Sequence, residues 1–152
     1  MSNKYNSSNI QSITNKKIFL DANICLDLLD STRNTSKNSI DWYMQNKDKA
    51  DIEFYFSGDF IMTIYYHLTE KRKLDGKLVI EAIDALCGEI SPIYLTHSDF
   101  QLAKKSFFDG VFDDFEDLIV LHSGVRFACS ECITNDKRLL KLGNFENMKI
   151  VS

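Results

Sequence analysis

Asp113-Asp-Phe-Glu-Asp-Leu-Ile-Val-Leu-His-Ser-Gly-Val-Arg-Phe-Ala128, with Cys132-Ile-Thr-Asn-Asp136 close behind it, is the stretch from which the architecture can be read. Leu118, Leu121, Val125 and Ala128 recur at helical spacing and predict one apolar stripe. Asp114 and Asp117 continue that stripe upward, one turn apart, because residues three or four apart share a helix face. Carboxylates on a solvent face would need no explanation; two at the top of a core-facing stripe do. The positive end of the helix dipole partly offsets their charge. The second half reads as a short strand, Cys132-Ile-Thr, ending in Asn135-Asp136, where a further helix can begin.

Working back to the start, residues 1–15 are polar and aperiodic and are expected to form a loose arm, with a single domain over 16–152. Lys17-Ile-Phe-Leu20 is a continuous apolar run, the pattern of a strand buried on both faces, and Asp21-Ala-Asn23 ends it. Asp21 thus sits at the carboxyl end of a central strand, the edge where open parallel sheets bind ligands. Downstream, a helix through Ile40, Tyr43 and Met44 leads to a strand at Glu53–Ser57. A helix carrying Phe60, Ile61, Ile64, Tyr65 and Leu68 then ends in the solvated run Glu70–Lys73. Another spans Leu78 to Leu86, a strand covers Ile93–Leu95, and a helix capped by Ser98 or Thr96 runs from His97 to about Phe108. Met148–Val151 is the last strand. Five strands separated mostly by helices, without a hairpin signal, predict an α/β chain: a three-layer α/β/α sandwich around a five-stranded parallel sheet.

Composition narrows the function. The 152 residues carry 18 basic and 22 acidic side chains, a net charge of −4, which argues against a purely electrostatic nucleic-acid binder. No apolar run is long enough to span a membrane, and the Asn/Ser-rich start has no signal-peptide core, so a cytoplasmic protein is expected. The four cysteines lie in or beside apolar runs and read as buried free thiols. The single C-x-x-C, Cys129 and Cys132, lacks the second pair that a zinc site needs. His67, His97 and His122 share no ligand spacing.

Asp21, Asp117 and Asp136, with Asp114 beside them, therefore converge on one sheet edge. Crowded carboxylates raise one another's pKa, and a divalent cation removes the conflict. Acids without a matching His or Cys pattern suit Mg²⁺ or Mn²⁺, and hydrolysis of a phosphodiester is the chemistry such a site does best.

Three stretches carry a resemblance: Ile18-Phe-Leu-Asp21-Ala-Asn23-Ile, Asp114-Phe-Glu-Asp117-Leu, and Ile133-Thr134-Asn135-Asp136. Together they resemble the signature motifs of PIN domains, above all bacterial PIN-domain proteins such as the VapC-type toxins of toxin–antitoxin pairs, over about Lys16 to Val151. The resemblance implies a PIN-like sheet of order 3-2-1-4-5 and a Mg²⁺/Mn²⁺-dependent endoribonuclease that leaves a 5′-phosphate and a 3′-hydroxyl. It places Asp21, Asp117 and Asp136 as catalytic metal ligands, Asp114 as the extra acid, and Asn23 and Thr134 as polar supports. It also implies RNA as substrate, a cognate antitoxin as partner and a homodimer. One departure stands out. The family commonly has a Glu on the helix after the second strand, and the matching place falls near Thr63; Asp59 lies too early and Glu70 too late.

Simpler readings exist for each residue. Asp21 and Asp136 could be helix caps, and Asp114 and Asp117 an acidic first turn matched to the dipole. Lys71, Arg72, Lys137 and Arg138 are solvated in the plain case but are the candidates to neutralise RNA phosphates. A haloacid-dehalogenase-type site wants Asp-x-Asp after the first strand, where this chain has Asp21-Ala-Asn23; a receiver domain wants an acceptor Asp after the third strand. The stronger alternative is a catalytically weakened PIN-like module that binds RNA or a protein without turnover.

Overall fold

Lys16–Leu20 (β1) buries Ile18, Phe19 and Leu20 on alternating faces, so the strand needs cover on both sides and takes the middle of the sheet. The computed structural model describes residues 15–152. The expected N-terminal arm lies outside them, except for Asn15, whose amide donates to Glu53 Oε1 at 3.1 Å.

After β1 come α1 (Ala22–Leu29), α2 (Ser36–Asn46) and β2 (Ile52–Ser57). A single 3₁₀ turn at Gly58–Phe60 leads into α3 (Ile61–Tyr66), which widens into a π-helical turn over His67–Lys71. Next are α4 (Gly76–Glu89), β3 (Ser91–Ile93), α5 (His97–Phe108), α6 (Phe115–Arg126) and β4 (Glu131–Ile133). The chain continues through α7 (Lys137–Leu142), β5 (Asn144–Phe145) and β6 (Met148–Val151). The sheet order is β3-β2-β1-β4-β6-β5. Five strands are parallel, in the expected 3-2-1-4-5 order when β6 is counted as the fifth.

The sixth strand corrects the expectation of a purely parallel sheet. β5 and β6 form an antiparallel hairpin, with Phe145 opposite Met148. Its two-residue turn puts Glu146 at φ +52°, a conformation in which glycine is the usual residue, so the sequence carries no turn signal there. A second correction concerns Ala128, which is exposed and adopts φ +60°. It ends α6 and does not extend the stripe, which stops at Val125.

Two cores flank the sheet. Ile18, Leu20, Phe54, Phe56 and Ile133 pack under α1–α4, with Ile24, Leu26, Ile64, Val79 and Ile83 opposite. Phe19, Cys132, Met148 and Ile150 pack under α5–α7 against Ala103, Leu118, Leu121 and Leu139. These are the two interfaces of a three-layer sandwich. At Gly124 a Cβ would come within 3.3 Å of Met148 Sδ and 3.4 Å of Phe19, so α6 lies close on the sheet. That approach fixes the height of its acidic first turn. Thr96 is the cap of α5, in a reciprocal capping box with Asp99. No helix among the described residues is long and apolar enough to cross a membrane.

Candidate metal centre

The carboxyl edge of β1 and β4 is held together by one hydroxyl. Thr134, fully buried, donates from Oγ1 to Asp21 Oδ2 at 2.7 Å and accepts the Asp136 backbone N–H at 3.0 Å. Asp21 N donates to Ile133 O at 2.9 Å, which extends the β1–β4 pairing to the edge. The other Asp21 oxygen accepts the Ala22 N–H at 2.9 Å, so Asp21 is both the cap of α1 and a candidate site carboxylate. Asp136 caps α7 through Oδ1 and the Arg138 N–H at 2.8 Å. A cap and a candidate site position coincide in both residues. A cap engages one carboxylate oxygen and leaves the other to a second partner.

Asp114 is the N-cap of α6 and lies outside the helix proper, its Oδ1 accepting from Asp117 N at 3.1 Å. Asp117 follows in the first turn, half-buried. Burial first, then the charges of Asp114, Asp21 and Asp136, push its carboxyl up to about 7, against a smaller opposing pull from Arg138. Burial also raises Asp21, opposed by its bonds to Thr134 and Ala22 and reinforced by Asp136. The sequence-predicted acids thus feel one another across the sheet edge. Among the described residues, however, no three acidic, His or Cys side chains close around a common point as they stand. Asn23, on the first turn of α1, is exposed and makes no side-chain hydrogen bond among the described residues.

The donor chemistry fits a hard divalent ion: carboxylate oxygens at the edge, while the nearby Cys25 and Cys132 sulfurs are buried and held as neutral thiols by burial and by the charge of Asp21. Such an ion keeps several of its waters and can be held partly through them. The raised Asp117 has a consequence for the metal-free protein. A folded-state pKa above the unfolded value contributes stability that is complete below about 4 and is lost as pH rises through about 7. Wild type in EDTA should therefore lose stability relative to Asp117→Asn between pH 4 and 7. After allowance for solvent screening at a half-buried group, the difference is on the order of 1–2 kcal/mol. Denaturant titrations of both proteins across that range provide the comparison, and parallel curves would contradict the electrostatic crowding.

The four basic candidates divide. Lys71 and Lys137 are exposed, whereas Arg72 Nε pairs with buried Asp30 at 3.3 Å and Arg138 pairs with Asp113 and lies over the Phe112 ring. Arg72 is therefore committed to the fold and is not part of a simple solvated end. Thr63 is exposed on α3, so the place where the family's Glu would stand is not in the core. Asp59 accepts the Leu95 N–H at 2.8 Å and is occupied elsewhere. Thr63→Glu is expected to leave the melting temperature within about 2 °C in EDTA, since exposed substitutions stay within about 0.5 kcal/mol. A loss of several degrees would mean that α3 packs differently.

Sequence reasoning missed the buried acids. Asp27, inside the apolar run Ile24–Leu29, is fully buried and accepts from Arg33 Nε (2.7 Å), Thr35 Oγ1 (2.7 Å), Ser39 Oγ (2.6 Å) and Asn135 Nδ2 (3.1 Å). Asp30 accepts from Thr32 and meets His67 Nε2 at 3.0 Å; these bonds and Arg72 outweigh its burial and hold its carboxyl down to about 2. Asp99, also buried, takes the Arg126 guanidinium, which ties α5 to α6. A charged residue on the inward stripe of a helix was the available signal. His122 is buried and bonded through Nε2 to Ser106 Oγ at 2.8 Å, in keeping with a packing role. Burial pushes the Cys129 thiol up to about 12 and raises Cys25 and Cys132 as well, so these are inert core sulfurs.

No protein-family model and no curated protein matches the chain by sequence. Solved structures do match in shape. VapC20 of Mycobacterium tuberculosis, a sarcin-ricin loop cleaving toxin, superposes with a TM-score of 0.64 at 14% identity, over 85% of this chain and 97% of that one. VapBC-1 of nontypeable Haemophilus influenzae gives 0.62 at 14%, over 88% and 96%. VapBC2 of Rickettsia felis, bound to a promoter DNA fragment, gives 0.60 at 14%, over 88% and 96%. At that identity the likeness establishes the fold. The chain has a PIN-domain fold of the VapC type.

Proposed function

We propose that the protein is a Mg²⁺- or Mn²⁺-dependent endoribonuclease, the toxin of a toxin–antitoxin pair. The observation that carries this reading is the Asp21–Thr134–Asp136 bridge at the ends of two neighbouring central strands, with Asp117 electrostatically coupled to both acids. A bound ion would lower the pKa of a coordinated water and neutralise charge on the leaving oxygen. The chain's own part is positional. Thr134 fixes the rotamer of Asp21, the α7 cap fixes Asp136, and the close packing at Gly124 sets Asp117 at the same level. Lys71, Lys137 and Arg138 are the cations proposed to meet RNA phosphates. The VapC-type fold, shared with proteins solved as VapBC complexes, supports an antitoxin partner for this chain too. A homodimer is proposed on the apolar α3–α4 face, where Met62, Tyr65 and Ile80 are exposed. The free cysteines suit the cytoplasm.

Thermal melts with Mn²⁺ and a cleavage assay on labelled RNA test this together. Mn²⁺ at about a hundred times its Kd should add about 2.7 kcal/mol to wild type and little to Asp21→Asn or Asp136→Asn. A second reading, binding without turnover, is favoured by one observation: an exposed Thr63 where the family has Glu. Metal stabilisation with no cleavage of any RNA by purified protein would select it.

A further inference from the structure

Beside the acidic edge lies a cavity of about 300 Å³, lined by Ile24, Asn38, Ser39, Trp42, Ile133, Asn135 and Ser152. Its position in the chain ties it to the metal centre. Ile24 stands three residues after Asp21, and Ile133 and Asn135 flank Thr134 immediately before Asp136. Trp42, Ile24 and Ile133 supply apolar wall.

The polar lining is fixed by the buried acid beneath it. Asp27 is hydrogen-bonded as an acceptor to Arg33, Thr35 and Ser39, so the Asn135 amide must turn its NH₂ toward Oδ2 of Asp27, at 3.1 Å. The same nitrogen reaches Ser39 Oγ at 3.4 Å. The two oxygens lie only 2.6 Å apart, so one Asn135 N–H bridges them and the other has no protein acceptor among the described residues. Asn135 Oδ1 has no protein donor among the described residues, and the residue is exposed. An oriented amide with its carbonyl and one N–H open, an indole among the walls and a candidate site carboxylate one residue away, is complementary to a flat ring carrying an N–H donor beside an acceptor nitrogen on its edge.

We propose that this cavity is a nucleobase pocket, taking an amino-bearing base, adenine or cytosine, of the nucleotide next to the cleaved bond, with Asn135 Oδ1 accepting from the exocyclic amine. The proposal rests on the ribonuclease reading for its cleavage role but not for its binding chemistry. Single-stranded RNA suits such a pocket, since its unpaired bases can turn out and present their edges. Asn135 is a specificity residue here, and Asp27 positions it.

The chain holds one tryptophan, and it lines the pocket, so its fluorescence reports occupancy directly. The full-length protein in EDTA is titrated with adenosine 5′-monophosphate and with the purine riboside 5′-monophosphate that lacks the amine. Saturable quenching is expected for the first, with an affinity at least about fivefold tighter than for the second, the worth of one hydrogen bond. Asn38→Phe, a substitution at an exposed position on the rim, should abolish the quenching by filling the mouth. Equal affinity for the two nucleotides, or no saturable quenching by either, would overturn the pocket; if Asn38→Phe does not fold, that contrast still decides. Base-selective quenching by a protein that cleaves no RNA would leave the pocket standing and remove the ribonuclease reading. Cleavage with no base preference and no quenching would do the reverse.

Discussion

Asp117→Asn should yield a folded protein that cleaves RNA at least about a hundredfold more slowly in Mn²⁺. The side chain keeps its shape and loses the charge that an ion would need from it. The position explains the size of the effect. Asp117 is the one acid on the α6 side of the site that is not itself a helix cap, so its carboxylate has no backbone task to perform. Its charge is also costly in the metal-free protein, where burial and three neighbouring acids raise it to about 7. Loss of activity combined with unchanged or higher stability in EDTA is thus the expected signature. Activity within a factor of about two of wild type would remove Asp117 from the candidate metal centre. A fall in both would point to structural damage, which circular dichroism of the variant would show.

The second large effect lies away from the acids that chemistry would use. Asp27→Ala should cost about 3–5 kcal/mol of folding stability, because it leaves the Arg33 guanidinium and several hydroxyl and amide donors facing an empty buried space. Ser39 Oγ and Asn135 Nδ2 would lose the acceptor they share, and Thr35 would release the turn before α2. Asp27→Asn keeps the volume but replaces one acceptor with a donor, so it should fall between Ala and wild type. Urea unfolding of the three proteins gives the order. A cost for Ala below about 1 kcal/mol would mean that the network forms without contributing to stability.

These acids mark where reading the sequence stopped. Asp21 and Asp136 were legible because each follows a short apolar run, and a carboxylate there has few places to point. The helix of Leu118, Leu121 and Val125 was legible because its period is undisturbed as far as Val125. The partners of Asp27 were not, since Ser39 is 12 residues away and Asn135 is 108 residues away. A buried charge is recognised through its partners, and tertiary structure alone brings those together. The β5–β6 hairpin was missed for a local reason: Glu146 takes the left-handed turn position that a glycine would have announced. Ala128 misled in the same way, holding a periodic place in the sequence while its backbone turned off the helix. Asp114 was read as a helical residue and stands one position earlier, as the cap.

The Thr134–Asp21 bond joins residues 113 positions apart, across strands that pair only when β4 inserts between β1 and β6. During synthesis the Asp21 carboxylate is made 113 residues before the Thr134 hydroxyl that orients it. Until then β1 has an unpaired edge and Asp21 has no hydroxyl to orient it. In a nascent chain the candidate centre therefore stays incomplete until a single short strand inserts. For a protein whose proposed substrate is RNA, that timing would spare the message from which it is being read.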